Sequence, residues 1–197
     1  HKFNKKIKSY NDGIDISVFK DCKHIVNEIG IEAESLDSTL LTCRVLNNKI
    51  EIYTYGDGYI IEVYDEKTIF TEIKYSNNAP FYLSYYFDTD RQKAYIDKLE
   101  DEYIKSIRSN DIVSKLKFNT EYNFNIELDT KIKYICIASD GLSSFYNKNT
   151  SESIPIDKIV KDVVNFKNHG GDFVKRRMYR LMKDYKKEEI VNYDDVS

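Results

Sequence analysis

Three aspartates stand where a strand or helix gives way to a loop, and two of them are followed by glycine. They are Asp57-Gly58 in "YTYGDGYI", Asp140-Gly141 in "YICIASDGLSSF" and Asp194 in "NYDDVS". A carboxylate at a strand end has a rigid backbone behind it, and a glycine beside it removes a Cβ and lets backbone or solvent come close. Carboxylates that converge repel one another, and a divalent cation relieves the repulsion. All-oxygen sites of this kind suit hard ions such as Mg²⁺ or Mn²⁺. Two such ions about 3.5–4 Å apart can bind a phosphoryl group and supply a hydroxide nucleophile. A plainer reading stands beside this one: Asp-Gly is a common hairpin turn, and adjacent acids near a chain end are usually a solvated surface.

The elements that would position these residues follow from hydrophobic period. Residues 17–29, "SVFKDCKHIVNEI", repeat apolar positions at helical spacing, with Ser17 as the N-cap and Gly30 as the stop. The period then shortens. "STLLTCRVL" (38–46), "KIEIYTY" (49–55), "YIIEVY" (59–64) and "TIFTEI" (68–73) read as four strands of one antiparallel meander, the first two joined at Asn47-Asn48. Residues 75–90 are irregular and aromatic, and 91–107 fit a helix with a partial stripe of Ala94, Leu99, Tyr103 and Ile107. "SKLKFNTEYNFNIEL" (114–128) and "KIKYICIAS" (131–139) are further strands, the second buried on both faces in its last part. Helices follow at 154–166, with Pro155 in the first turn, and at 170–189, with an apolar stripe of Phe173, Val174, Met178, Leu181, Met182 and Tyr185. Strands in one block with helices before and after give an α+β class, helices packed over antiparallel sheet.

Composition bounds the setting. The 197 residues suffice for one good-sized domain, and 41% hydrophobic content with 17 Tyr and 10 Phe can build a packed core. The net charge of −3 offers no global attraction to nucleic acid or to an acidic membrane surface. Cys22, Cys43 and Cys136 lie far apart without metal or redox spacing, which reads as free thiols in a reducing, cytoplasmic compartment. No apolar run reaches spanning length, and the basic "HKFNKKIK" start lacks an apolar signal core. A chain that opens on His and stops at "YDDVS" reads as a piece of a longer polypeptide, incomplete at both ends.

Other residues carry less. His24 and His169 have no ligand spacing to another His or Cys, and Cys136 in mid-strand reads as a structural thiol. Tyr82, Tyr85 and Tyr86 pack a sheet edge more readily than they form a stacking platform. "KRRMYRLMKDYKK" (175–187) reads as an amphipathic helix with a solvated basic face, although Lys175, Arg176, Arg177 and Arg180 could help attract a phosphorylated substrate.

Taken in order, "STLLTCRVLNNKIEIYTYGDGYIIEVY", "NNAPFYLSYYF", "YICIASDGLSSF" and "DDVS" resemble the type-2C (metal-dependent, PPM-type) Ser/Thr protein phosphatases, in their bacterial branch, from about residue 17 to residue 197. The resemblance implies a single phosphatase-like domain over 1–197, built as a four-layer α-β-β-α sandwich of two antiparallel sheets flanked by helices. It implies two Mn²⁺ or Mg²⁺ ions and hydrolysis of phosphoserine and phosphothreonine by metal-activated water. Asp140 and Asp194 would be metal ligands, Asp57 would match a weaker third site, and Gly141 accompanies Asp140 in the signature. The partners implied are a phosphorylated protein substrate and a cognate Ser/Thr kinase, with no nucleic acid and no membrane.

The chain also departs from the family. The early Asp-Gly motif that bridges the metals is not found, since Asn11-Asp12-Gly13 stands too close to the following strands. Ser144 occupies a position where many members have an Asp. These departures keep a second expectation open: a catalytically inactive pseudophosphatase that binds a phosphoprotein or partner. A third is a structural domain with ordinary Asp-Gly turns, in which the three aspartates do not converge.

Overall fold

The computed structural model describes residues 14–46, 49–98, 103–108, 112–117, 123–127 and 131–196. They fall into two compact units, one of residues 1–57, 74–105 and 115–128, the other of residues 58–73, 106–114 and 129–197.

In the first unit, α1 (Ile14–His24) runs on through one wider turn to Ile29 and stops at Gly30, whose φ of 75° is the left-handed conformation that favours glycine. The helix starts ahead of Ser17, so Ser17 lies inside it and is not its cap. Strands β1 (Leu40–Leu46), β2 (Lys49–Tyr55) and β7 (Asn123–Glu127) form a sheet in the order β1-β2-β7. Along β2, Ile50, Ile52 and Thr54 are buried while their neighbours are not, the two-residue period of a strand with one covered face. Leu46 pairs with Lys49, and the Asn47-Asn48 turn itself lies outside the described residues.

Helix α2 (Thr89–Asp97) is capped by the Asp88 carboxylate, which accepts the backbone N–H of Asp90 at 3.1 Å and of Arg91 at 3.0 Å. Arg91 then spreads its guanidinium fork across Asp37, whose carboxylate also accepts the Ser84 hydroxyl. The same guanidinium lies 4.0 Å from the centre of the Tyr85 ring. Phe81 stacks on Tyr85 at 4.8 Å and meets Tyr86 and Tyr95 edge-on. Tyr85 and Tyr86 are thus packing residues of an aromatic cluster.

In the second unit, β3 (Gly58–Tyr64) is buried at every residue but the last, and it pairs antiparallel with both β4 (Thr68–Lys74) and β8 (Ile132–Ala138). With β5 (Tyr103–Arg108) and β6 (Ile112–Lys117) the sheet order is β6-β5-β4-β3-β8. A short antiparallel pair, β9 (Phe145–Asn147) with β10 (Ile190–Asn192), joins the two ends of the helical segment. Helices α3 (Ile156–Val163) and α4 (Phe173–Lys187) bury Ile159, Val160, Leu181 and Tyr185 against Ile61, Leu142 and Phe145. The two helices are stitched at one residue: Tyr185 donates to the Asp162 carboxylate at 2.8 Å, and Arg177 Nε donates to the Asp162 carbonyl at 2.6 Å.

The α+β class holds, with antiparallel sheets and helices in both units. Several finer expectations do not. The four-strand meander is broken between the second and third strands, because β2 pairs with β1 and β7 while β3 pairs with β4 and β8. Gly56, at φ 103°, turns the chain there, and a Cβ on it would lie 2.7 Å from Thr39 Oγ1. The helix expected over 91–107 ends at Asp97, and Tyr103 and Ile107 belong to β5. The four stripe positions Ala94, Leu99, Tyr103 and Ile107 are spaced too widely to give a continuous apolar face over so long a helix. Residues 114–128 are two strands in different sheets. Pro155 caps α3 from outside, and α4 spans less than 170–189.

The last correction concerns β8. It is the final strand of its sheet among the described residues, and most of it is only half-buried. An apolar cavity of about 350 Å³ opens beside Tyr134, Cys136, Val163 and Met178. The apolar run that suggested cover on both faces therefore belongs to a strand covered incompletely. Among the described residues no helix is long and apolar enough to cross a membrane, and all three cysteines are free thiols.

Phe145 is 1% exposed and meets the Tyr185 ring edge-on at 5.4 Å, where β9 joins the helices. Phe145→Ala should destabilise the chain by about 3–5 kcal/mol, read as a lower urea midpoint at unchanged slope.

Candidate functional site

The candidate site begins where β8 ends. Ser139 is extended, and residues Asp140–Ser144 wind into a short 3₁₀ turn. Asp140-Gly141 is therefore not the bend of a hairpin. Inside the turn, Ser143 donates to the Asp140 carbonyl at 2.8 Å, and the buried Ser144 donates to the Gly141 carbonyl at 2.7 Å. Ser144 is thus turned into the protein and fully occupied by its own turn.

Gly141 is there for steric reasons. A Cβ at this position would lie 2.0 Å from the carbonyl oxygen of Asp195 and 2.7 Å from its carbonyl carbon. The chain that leaves β10 passes directly across residue 141, and only a residue without a side chain permits this. The Ser139 hydroxyl fixes the crossing by donating to the same Asp195 carbonyl at 3.1 Å. The pairing of Asn192 with Phe145 brings the segment to that place, and Asn192 Nδ2 donates to the Asp194 carbonyl at 2.6 Å.

The crossing places Asp194 beside Asp140. Burial, and after it the negative charge of Asp194, hold the half-buried Asp140 carboxyl above its ordinary value of 3.8. The backbone N–H groups of Asp140 and Gly141 offset part of that rise. Asp194 is exposed, and its Oδ1 accepts the Asp195 N–H at 2.8 Å. Asp140 and Asp194 are therefore near enough for the charge of one to act on the other. Asp57 is half-buried in the bend between β2 and β3 and closes the first unit. Asn11-Asp12-Gly13 lies outside the described residues.

Tyr59 and Glu72 were not anticipated from the sequence. They are cross-strand partners on β3 and β4, and the Tyr59 hydroxyl donates to Glu72 Oε1 at 2.6 Å. The ring is 1% exposed, and its hydroxyl has Ser143 and Asp140 as neighbours. Burial, the Glu72 bond and the two carboxylates push its ionisation far up, so it stays a neutral donor. Only the strand register joins these two residues, and a strand Glu thirteen positions from a Tyr gives no signal by itself. Cys136, deeper on β8, is pushed up to about 11 by burial, which leaves it a thiol and not a nucleophile. His169 packs against Tyr134, Phe166 and Phe173 as one ring among aromatics.

Among the described residues no three His, Cys, Asp or Glu side chains gather to hold an ion. A pair of carboxylates at a rigid strand end still fits a hard cation such as Mg²⁺, which is commonly held by one or two carboxylates and keeps several waters. Comparison of the chain with protein-family models, with curated proteins and with solved structures finds no match.

Gly141→Ala should cost about 1–3 kcal/mol, because the closing segment must move off residue 141; urea unfolding reads this. A second test concerns charge. With the folded-state value of Asp140 above the unfolded one, the folded chain binds this proton more tightly, so the group's contribution to stability falls as pH rises above 3.8. Asp194→Asn should move the Asp140 carboxyl back toward 3.8 and narrow that window. The check is a carboxyl ¹³C titration of the metal-free chain.

Proposed function

We propose that the protein is a metal-dependent phosphoprotein phosphatase acting on phosphoserine and phosphothreonine. The observation that carries this reading is the meeting of Asp140 and Asp194 at the end of β8, with the Asp140 carboxyl held high partly by the other's charge. Two carboxylates held near one another raise the cost of charging both, and a divalent cation between them would remove that cost. The resemblance of "ASDG" and "DDVS" to the type-2C phosphatases supports the same ligands, and it adds the phosphoester substrate class.

On this reading Asp140 and Asp194 are the ligands this chain contributes to a Mn²⁺ or Mg²⁺ site. A bound divalent ion supplies neutralisation of the phosphoryl oxygens and a water of lowered pKa. The chain's own groups do the positioning. The 3₁₀ turn fixes Asp140, with Ser143 and Ser144 tying its carbonyls inward. Tyr59, neutral and held on Glu72, forms a rigid floor beside Asp140. Gly141 lets the backbone of Asp195, next to Asp194, lie against the turn that carries Asp140.

The test is hydrolysis of p-nitrophenyl phosphate and of a phosphothreonine peptide with and without Mn²⁺, in the longest natural chain that contains these residues. Turnover should require the metal, and Asp140→Asn and Asp194→Asn should each lower it by more than the roughly 10–100-fold typical of losing an outer-shell partner. Full activity of Asp140→Asn at limiting Mn²⁺ would end the reading. Phosphoprotein binding with no turnover in the presence of Mn²⁺ would favour the inactive binding module instead.

A further inference from the structure

The chain as a whole is mildly acidic, yet residues 165–187 hold eight Lys and Arg against two Asp, in a protein whose net charge is −3. The surplus is not spread evenly. Arg176, Arg177 and Arg180, one turn apart on α4, line a shallow pocket together with Lys167, Asn165 and Asn168.

The three guanidiniums differ from a row of solvated cations. Arg176 Nη2 donates to Asn168 Oδ1 at 2.8 Å and to the Gly170 carbonyl at 2.5 Å. Arg177 is held through Nε on the Asp162 carbonyl, and the carboxylate of that residue is taken by Tyr185. Both forks are thus anchored on neutral oxygens, which fixes their position and leaves their other N–H groups without an acceptor among the described residues, although the charge of Arg177 also acts on Asp184. Arg180 makes no hydrogen bond or ion pair among the described residues. Arg176 and Arg177 have no ion pair there either. The local rules of helix building point the same way. The first turn of α4 holds no acidic residue, and Asp172 makes no side-chain cap, so Lys175 and Arg176 stand at the positive end of the helix dipole. An arrangement that opposes local stability and is held in place by its neighbours fits a bound anion.

We infer that this pocket binds the phosphate group of a phosphorylated protein segment, with Arg176, Arg177 and Arg180 as its donors. The inference rests on the phosphatase reading for the kind of anion, and on the geometry for the site. Anchored arginine forks match the oxygens of a phosphate monoester, with two donors to each. The patch is a single pocket on one helix of an otherwise acidic chain, and this favours one phosphate over the extended backbone of a nucleic acid.

The experiment is fluorescence anisotropy with the full chain stripped of divalent ions. The probes are a labelled phosphothreonine peptide, the same peptide unphosphorylated, and a single-stranded oligonucleotide. Inorganic phosphate serves as competitor and reports whether the free ion fills the same site. The phosphopeptide should bind at least about tenfold more tightly than its unphosphorylated form. Arg180→Ala should remove most of that difference, while Lys186→Ala, on the same helix but away from the pocket, should change it less than about twofold. Equal binding by wild type and Arg180→Ala would overturn the inference. So would an oligonucleotide that outcompetes the phosphopeptide and loses its affinity in the same variant. Because no metal is present, the result is independent of turnover. Phosphopeptide binding that depends on Arg180, in a chain with no Mn²⁺-dependent hydrolysis, would leave the pocket and remove the phosphatase. Hydrolysis without such binding would do the reverse.

Discussion

The second unit turns on one close approach: the backbone of Asp195 lies where a side chain at residue 141 would have to be. A Cβ placed 2.0 Å from a carbonyl oxygen cannot be accommodated by a rotamer change, because both groups are backbone. The glycine after Asp140 is therefore a condition for the chain's last described segment to lie across the end of β8. Once it lies there, the two aspartates are neighbours whether or not their charges agree. Their repulsion is tolerated because the crossing is held from elsewhere. Ser139 grips the Asp195 carbonyl, and β10 is pinned to β9. The buried faces of Phe145 and Ile190 join that pair to the core.

The same constraint explains why so much packing is devoted to a short strand pair. β9 and β10 are three residues each, too short to be stable as a ribbon. They bracket α3 and α4, and the helices supply what the ribbon lacks. Tyr185 and Leu181 are buried beneath α4, Ile159 and Val160 beneath α3, and Asp162 ties one helix to the other. Tyr134 extends the tie to the sheet, donating to the Val164 carbonyl at 2.7 Å. The position of Asp194 thus depends on a helical pair that packs behind the strands flanking it.

The site was legible in part because its chemistry and its sterics coincide in two letters. Asp140-Gly141 can be read either as a turn or as a carboxylate beside an open backbone, and local sequence does not separate the two. The crossing by Asp195 does, and it joins residues more than fifty positions apart. Helices with strong stripes were visible from their period, as at α3 and α4. The break between β2 and β3 was not, because adjacent strands of similar composition look alike whether they share a sheet or leave it. β5 was mistaken for helix because a thin apolar pattern fits both periods. Tyr59 and Glu72 needed the register of β3 on β4. The resemblance to the type-2C phosphatases rests on short motifs in order, each of which is locally ambiguous in the same way.

The acid pair and the basic pocket belong to the same unit, and their signs are opposite for a physical reason. Two carboxylates at the end of β8 repel any phosphate dianion that approaches them bare. On the proposed reading, a cation held by the pair would reverse the local charge and favour the approach of a substrate phosphoryl group. The anchored arginines of α4 need no such cation, since their charge is permanent. On the proposed reading the arginines can therefore hold a phosphorylated segment whether or not the metal is present, while hydrolysis waits on the ion. On that reading, recognition would rest on permanent guanidinium charge and reaction on an exchangeable cation.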